Sequence, residues 1–173
     1  MHRWLIFFLA VLPFYNASAS KSVQKKVMIS AEATLNTCAL SLSPANLNFQ
    51  QVSVSQFENN ATTPQTVTLN IACSWPATGI SLKFSPAAGV SASSANLMKT
   101  GLSGVGLALS WKDAAGTDFQ PQDLNKPFAP ALTSLSSKDE TLGQFQLLPK
   151  RIPGEALNAG NISTSLTVEV TYD

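Results

Sequence analysis

The end of the chain limits the fold more than any other part of it. Ile162, Thr164, Leu166, Val168, Val170 and Tyr172 alternate with Ser163, Ser165, Thr167, Glu169 and Thr171, up to the final Asp173. Strict period two marks a strand with one buried face. The segment is also rich in β-branched residues, which suit a pleated, half-buried surface. A terminal strand of this length has no following hairpin partner in its own chain. Either an earlier strand covers its free edge or another chain does.

The rest of the chain also reads as strands and turns. Cys38–Leu42 alternates and is followed by Ser43-Pro44. Leu47–Phe49 and Val52–Val54 are short strand candidates, and Ser55–Pro64 is polar and loop-like. In Thr66–Cys73, Val67, Leu69, Ile71 and Cys73 fall on one face; in Gly79–Ser85, Ile80, Leu82 and Phe84 do. Pro86–Ser94 is a connection, and Val105–Trp111 alternates again. Lys112–Gly116 reads as a hairpin-type turn with Gly116 at a position that tolerates positive φ. Leu142–Leu148 is a strand stopped by Pro149 and Pro153. No stretch holds a helical period for long, and no repeat or second domain is apparent. Short strands at this spacing, punctuated by Gly and Pro, predict one all-β sandwich.

The front of the chain predicts export. Met1–Arg3 is a short basic start, Trp4–Phe14 is apolar, and Ala17-Ser18-Ala19 offers the small residues that a signal peptidase needs. The apolar run is too short to span a bilayer, so residues 1–19 read as a signal peptide cut after Ala19, with no membrane insertion. The remaining 154 residues carry ten basic and ten acidic side chains and no histidine. Zero formal charge gives no electrostatic reason to expect nucleic acid or an anionic membrane surface as a partner. Cys38 and Cys73 are an even pair, which in an oxidising compartment implies one disulfide. The alternative is two buried free thiols. Two thiolates without histidine do not complete a zinc shell.

With these pieces in place, the chain resembles the pilin subunits assembled by the chaperone–usher route. The resemblance rests on Gly160, fourteenth from the C-terminus, on the penultimate Tyr172, and on the alternating strand between them. Gly104-Val105-Gly106 before a strand, then Trp111-Lys112-Asp113 and Gly116, resemble the mid-domain pilin pattern. Phe145–Pro149 sits where pilins carry their penultimate strand, and Cys38 and Cys73 match the family's placement of a disulfide. The match covers most of residues 27–173. Leu148-Pro149-Lys150 departs from the alanine- and tyrosine-containing strand of many members.

The resemblance implies an incomplete immunoglobulin-like β-sandwich that lacks its last strand and is completed by donor-strand insertion. It divides the chain into a signal peptide (1–19), a donor-strand extension (20–36) and a pilin domain (37–173). In the extension, Val27, Ile29, Ala31, Ala33 and Leu35 share one face, and Ala31 takes the position where the family carries glycine or another small residue. The resemblance makes Val27, Ile29, Ala31 and Ala33 donor-strand residues. It makes Gly160, Ile162, Leu166, Val168, Val170, Tyr172 and Asp173 the acceptor groove and chaperone contact. A periplasmic chaperone would lend a strand and hold the C-terminal carboxylate. At the outer-membrane usher, the next pilin's extension would replace that strand. The alternative is that the segment is an ordinary first strand, paired within its own domain.

Enzyme chemistry finds no support. Without histidine, neither a Ser–His–Asp nor a Cys–His arrangement can be built. No Gly-rich phosphate loop is present. Asp139-Glu140 reads as a solvated turn rather than half of a glycosidase pair. Trp75 and Trp111 could form a sugar-binding surface, but core or edge packing accounts for them more simply. The resemblance therefore implies a structural subunit of a fimbrium, minor or adaptor-like. It would use no cofactor, pass through the periplasm to the cell surface, and contribute to adhesion. The second reading is a self-complete exported β-sandwich that binds carbohydrate.

Overall fold

The computed structural model describes residues 21–26, 38–49, 53–136, 138–158 and 160–173. The expected signal peptide lies outside the described residues, and so do Val27, Ile29, Ala31, Ala33 and Leu35. Two antiparallel sheets form the body. One runs β2 (Cys38–Ser43), β3 (Gln65–Cys73), β10 (Asp139–Arg151), β7 (Val105–Asp113) and β6 (Leu97–Lys99), with β8 (Gln120–Pro121) also on β7. The other runs β1 (Lys21–Lys26), β11 (Leu166–Tyr172) and β5 (Ser81–Pro86). A two-residue pair, β4 (Ala77–Thr78) with β9 (Ser134–Leu135), closes one end. The expected all-β sandwich is what the chain forms.

Alternation built these strands as the sequence implied. Val67, Leu69, Ile71 and Cys73 of β3 and Leu82 and Phe84 of β5 are all buried, as is Ile80 just before β5. Between the sheets, Phe84 sits 5.2 Å from Phe145 and 6.0 Å from Trp111, and Phe128 packs 5.6 Å from Trp111. Tilted and edge-on ring pairs of this kind add to the stabilisation from burial. The Trp111 indole donates to Asp113 Oδ1 at 2.9 Å, and the same oxygen accepts from the Ala131 amide. The aromatic core thus holds the long connection between β8 and β9.

Several local expectations are corrected. Val54–Glu58 is a short helix, α1, not part of a strand and loop. Ser53 and Gln56 form a reciprocal capping box, and Phe57 is buried. Ser-x-x-Gln was the sequence signal for it. β7 is buried on both faces over Val105–Leu109, because Leu97, Ala108 and Ile152 form a second small core on its outer side. That packing also accounts for β6, which alternation did not reveal. β10 does not stop at Pro149. Its ladder with β3 ends at Leu147, so on that side the missing N–H of Pro149 forgoes no partner. A bulge between Thr141 and Gly143 shifts the buried parity of β10. A Cβ on Gly143 would sit 2.4 Å from the Lys112 carbonyl. The 112–116 turn forms, but Gly116 is not among the glycines with positive φ. Asp139 and Glu140 begin β10 rather than forming a turn. The Ser136 hydroxyl and amide donate to Glu140 and hold its carboxyl below the usual carboxylate range.

The cysteines face each other across β2 and β3 and are bonded. They close a loop of sequence separation 35. In the chain-entropy account, such a loop stabilises the fold by about 4 kcal/mol. Mapping of unreduced peptides is expected to recover Cys38 joined to Cys73. Reduction is expected to lower unfolding stability by roughly that amount. Free thiols in the native protein, or an unchanged denaturation midpoint on reduction, would contradict this.

Candidate functional site

The terminal strand β11 is the centre of the site. Leu166, Val168, Val170 and Tyr172 are buried, as their parity required. On one side β11 pairs with β5, and Lys83 bridges Glu169 at 2.9 Å on the outer face. On its other side the sequence allowed either a strand from this chain or one from another. Over residues 167–172 the structure has a strand from this chain. β1 runs antiparallel along that edge, Lys21 opposite Tyr172 and Lys26 opposite Thr167. A missing last strand is therefore not seen over this stretch.

The register of β1 matters. Lys21, Val23 and Lys25 occupy the positions opposite Tyr172, Val170 and Val168. Two of these three positions are lysines in the sequence.

Among the described residues, a cleft lies along the chain from Gly160 to Leu166. Leu47, Phe49 and Ile162, all half-buried, line both of its parts. The narrower part, about 130 Å³, lies over the buried Met98, Leu107, Leu147 and Leu166. The wider part, about 580 Å³, extends past Phe57, Leu102 and Leu157 to Gly160. Thr164 lines the narrow part, and its Oγ1 is buried with no hydrogen-bond partner among the described residues. Buried hydroxyls are nearly always paired, so this oxygen is an exception among the described residues.

The seven C-terminal positions predicted from the sequence fall along one line. Leu166, Val168, Val170 and Tyr172 belong to the core, Ile162 lies at the cleft junction, and Gly160 is exposed at its wide end. A Cβ on Gly160 would approach Leu102 Cδ1 to 2.9 Å. Asp173 is exposed, and its main chain exchanges hydrogen bonds with Thr78 at 2.8 and 3.1 Å. Sequence reasoning missed Leu47, Phe49 and Phe57 as cleft residues, although Leu47–Phe49 had the apolar alternation to suggest it. Trp111 is buried as expected, whereas Trp75 is 70% exposed and packs in neither core nor edge. Among the described residues, no three His, Cys, Asp or Glu side chains gather to hold a metal, and no helix is long and apolar enough to cross a membrane.

A two-sheet β-sandwich with a terminal alternating strand, one disulfide joining β2 to β3, and a cleft beside the terminal strand defines a pilin-type domain. Comparison with known proteins agrees. Residues 24–173 match the family model described as fimbrial protein. The chain is 29% identical over 164 residues to protein FanG of Escherichia coli, covering 90% of this chain and 87% of FanG. The chain belongs to the fimbrial protein family, the pilins of chaperone–usher fimbriae.

The orphaned hydroxyl can be tested directly. Thr164→Val keeps the shape and removes the unpaired group. It is expected to raise the stability of the free chain by about 1 kcal/mol in a denaturant titration. A loss of similar size would mean that the hydroxyl is satisfied and that the cleft at Thr164 is closed.

Proposed function

We propose that this chain is a structural subunit, minor or adaptor-like, of a chaperone–usher fimbrium, and that it polymerises by donor-strand exchange at the β11 edge. The carrying observation is the apolar cleft from Gly160 to Leu166, which continues the line of β1 and holds the unpartnered Thr164 hydroxyl. A strand inserted there would supply main-chain hydrogen bonds, and its alternate side chains would fill the cleft. The segment with the right pattern is Val27, Ile29, Ala31 and Ala33, uncharged at every second position. β1 covers only residues 167–172. On this reading the free subunit shields its edge with β1, and a neighbour's extension replaces it. The periplasmic chaperone and the usher bring about that replacement, and the Asp173 end is held by the chaperone. The step requires no catalytic group, cofactor or nucleic acid. The carbohydrate-binding alternative has the exposed Trp75 and the self-paired β1 in its favour. It requires a domain that folds alone in the periplasm.

Two changes test the proposal. Deleting Ser20–Ala33, or replacing Ile29 with Asp, is expected to leave chaperone binding intact and to abolish loading onto a preceding subunit. In Ile29→Asp, a charge would have to enter an apolar cleft without a partner. Normal polymerisation of either variant would rule out the extension as donor. Removing the last four residues deletes the buried Val170 and Tyr172, a loss of several kcal/mol. That subunit is expected to be degraded in the periplasm, and its accumulation to normal levels would contradict the role given to β11.

A further inference from the structure

We propose that Trp75 of one subunit seats in the wide part of the cleft, between Phe49, Phe57 and Leu157, of the subunit that accepts its extension. The inference rests on the donor-strand reading and adds to it a head-to-tail contact. Two poles of the domain set the geometry. At one pole lie Cys38, its bonded partner Cys73, Thr78 and Asp173. At the other lie Gly160, Leu102 and the wide part of the cleft. β3, nine residues long, crosses between the poles, a distance of about 27 Å.

Strand direction decides which poles meet. β1 runs antiparallel to β11. A donor entering in the same direction has its N-terminal end beside Tyr172 and its C-terminal end toward Gly160. Let Val27 take the place opposite Tyr172. Then Ile29, Ala31, Ala33 and Leu35 fall opposite Val170, Val168, Leu166 and Thr164. Only Asn36 and Thr37 then separate the donor strand from Cys38, a span of at most about 10 Å. The donating domain must therefore bring its Cys38 pole against the Gly160 pole of the acceptor.

Trp75 lies two residues beyond Cys73 at the donating pole. The exposed large hydrophobic residues among those described are Trp75 at 70% and Val54 at 55%, one at each pole. Val54 lines the wide part of the cleft. One pole-to-pole contact covers both. The cavity of about 580 Å³ is of a size that takes a bulky ligand group, and Asn158 and Asn161 on its wall offer acceptors for the indole N–H. The contact joins different patches on the two subunits, so it does not close and repeats along a fibre.

The test uses the unaltered full chain. Without the leader its tryptophans are Trp75 and Trp111, exposed and buried respectively. Acrylamide quenching of fluorescence is measured before and after polymerisation, with Trp75→Phe polymer giving the Trp111 baseline. The expected result is loss of the quenchable component and a blue shift on polymerisation. As a second arm, Trp75→Cys subunits are polymerised together with Leu157→Cys subunits under oxidation. Inter-subunit disulfides are expected in the mixture and not with either variant alone. A polymer in which Trp75 stays as quenchable as in the free chain, with no cross-link in the mixture, overturns the contact while leaving the donor-strand reading intact. In that case Trp75 faces another ligand or solvent. Failure of the unaltered chain to polymerise at all would remove the donor-strand reading, and this contact with it.

Discussion

The structure turns on the edge of one strand. Main-chain donors and acceptors along the outer side of β11 must be satisfied, and the apolar side chains beside them must be covered. β5 takes care of one side by register and by the Lys83–Glu169 bridge. The other side is shared: β1 lies along residues 167–172, and an apolar cleft takes over from Leu166 to Gly160. An edge part covered and part open suits a domain whose final strand is exchanged between chains.

Everything else holds that edge in position. The aromatic cluster of Phe84, Trp111, Phe128 and Phe145 locks the two sheets together behind β5 and β11. The disulfide ties β2 to β3. α1 sets Phe57 under the wide end of the cleft. Gly104, with φ of 75° and no room for a Cβ beside the Ala156 carbonyl, brings the 154–158 loop against β7. A stable body thus surrounds the β11 edge.

Much of this was legible in the sequence, because period-two alternation reports burial on one face. β3, β5 and β11 declared themselves that way, and so did the inward residues of β7. What alternation cannot show is packing on both faces, which concealed β6 and the second core around Ile152. Nor does it show a bulge, and that shifted the parity of β10 at Leu142–Gly143. The helix at Val54–Glu58 is too short to display a period, and only its Ser53–Gln56 cap could have revealed it. Leu166, Val168, Val170 and Tyr172 of the candidate site were readable because they lie in one strand. Leu47, Phe49 and Phe57 reach the cleft from segments far away in the chain, and a linear pattern does not carry that information. The pairing of Lys21–Lys26 with β11 was hidden for a different reason: main-chain bonding is indifferent to side chains, and lysines opposite valine are not a strand signal.

On the proposed function, a neighbour's Val27–Leu35 segment pairs with the chain from Tyr172 back to Thr164, beyond the stretch that β1 covers. Amide hydrogen exchange on the free chain, with and without a synthetic peptide of Val27–Leu35, tests this most directly. Without peptide, the amides of Thr167–Tyr172 should be protected and those of Gly160–Ser165 should exchange quickly. With peptide, protection should extend to Thr164 and Ser165 and appear within the peptide itself. Slow exchange at Thr164 and Ser165 in the free chain, unchanged by the peptide, would contradict the account.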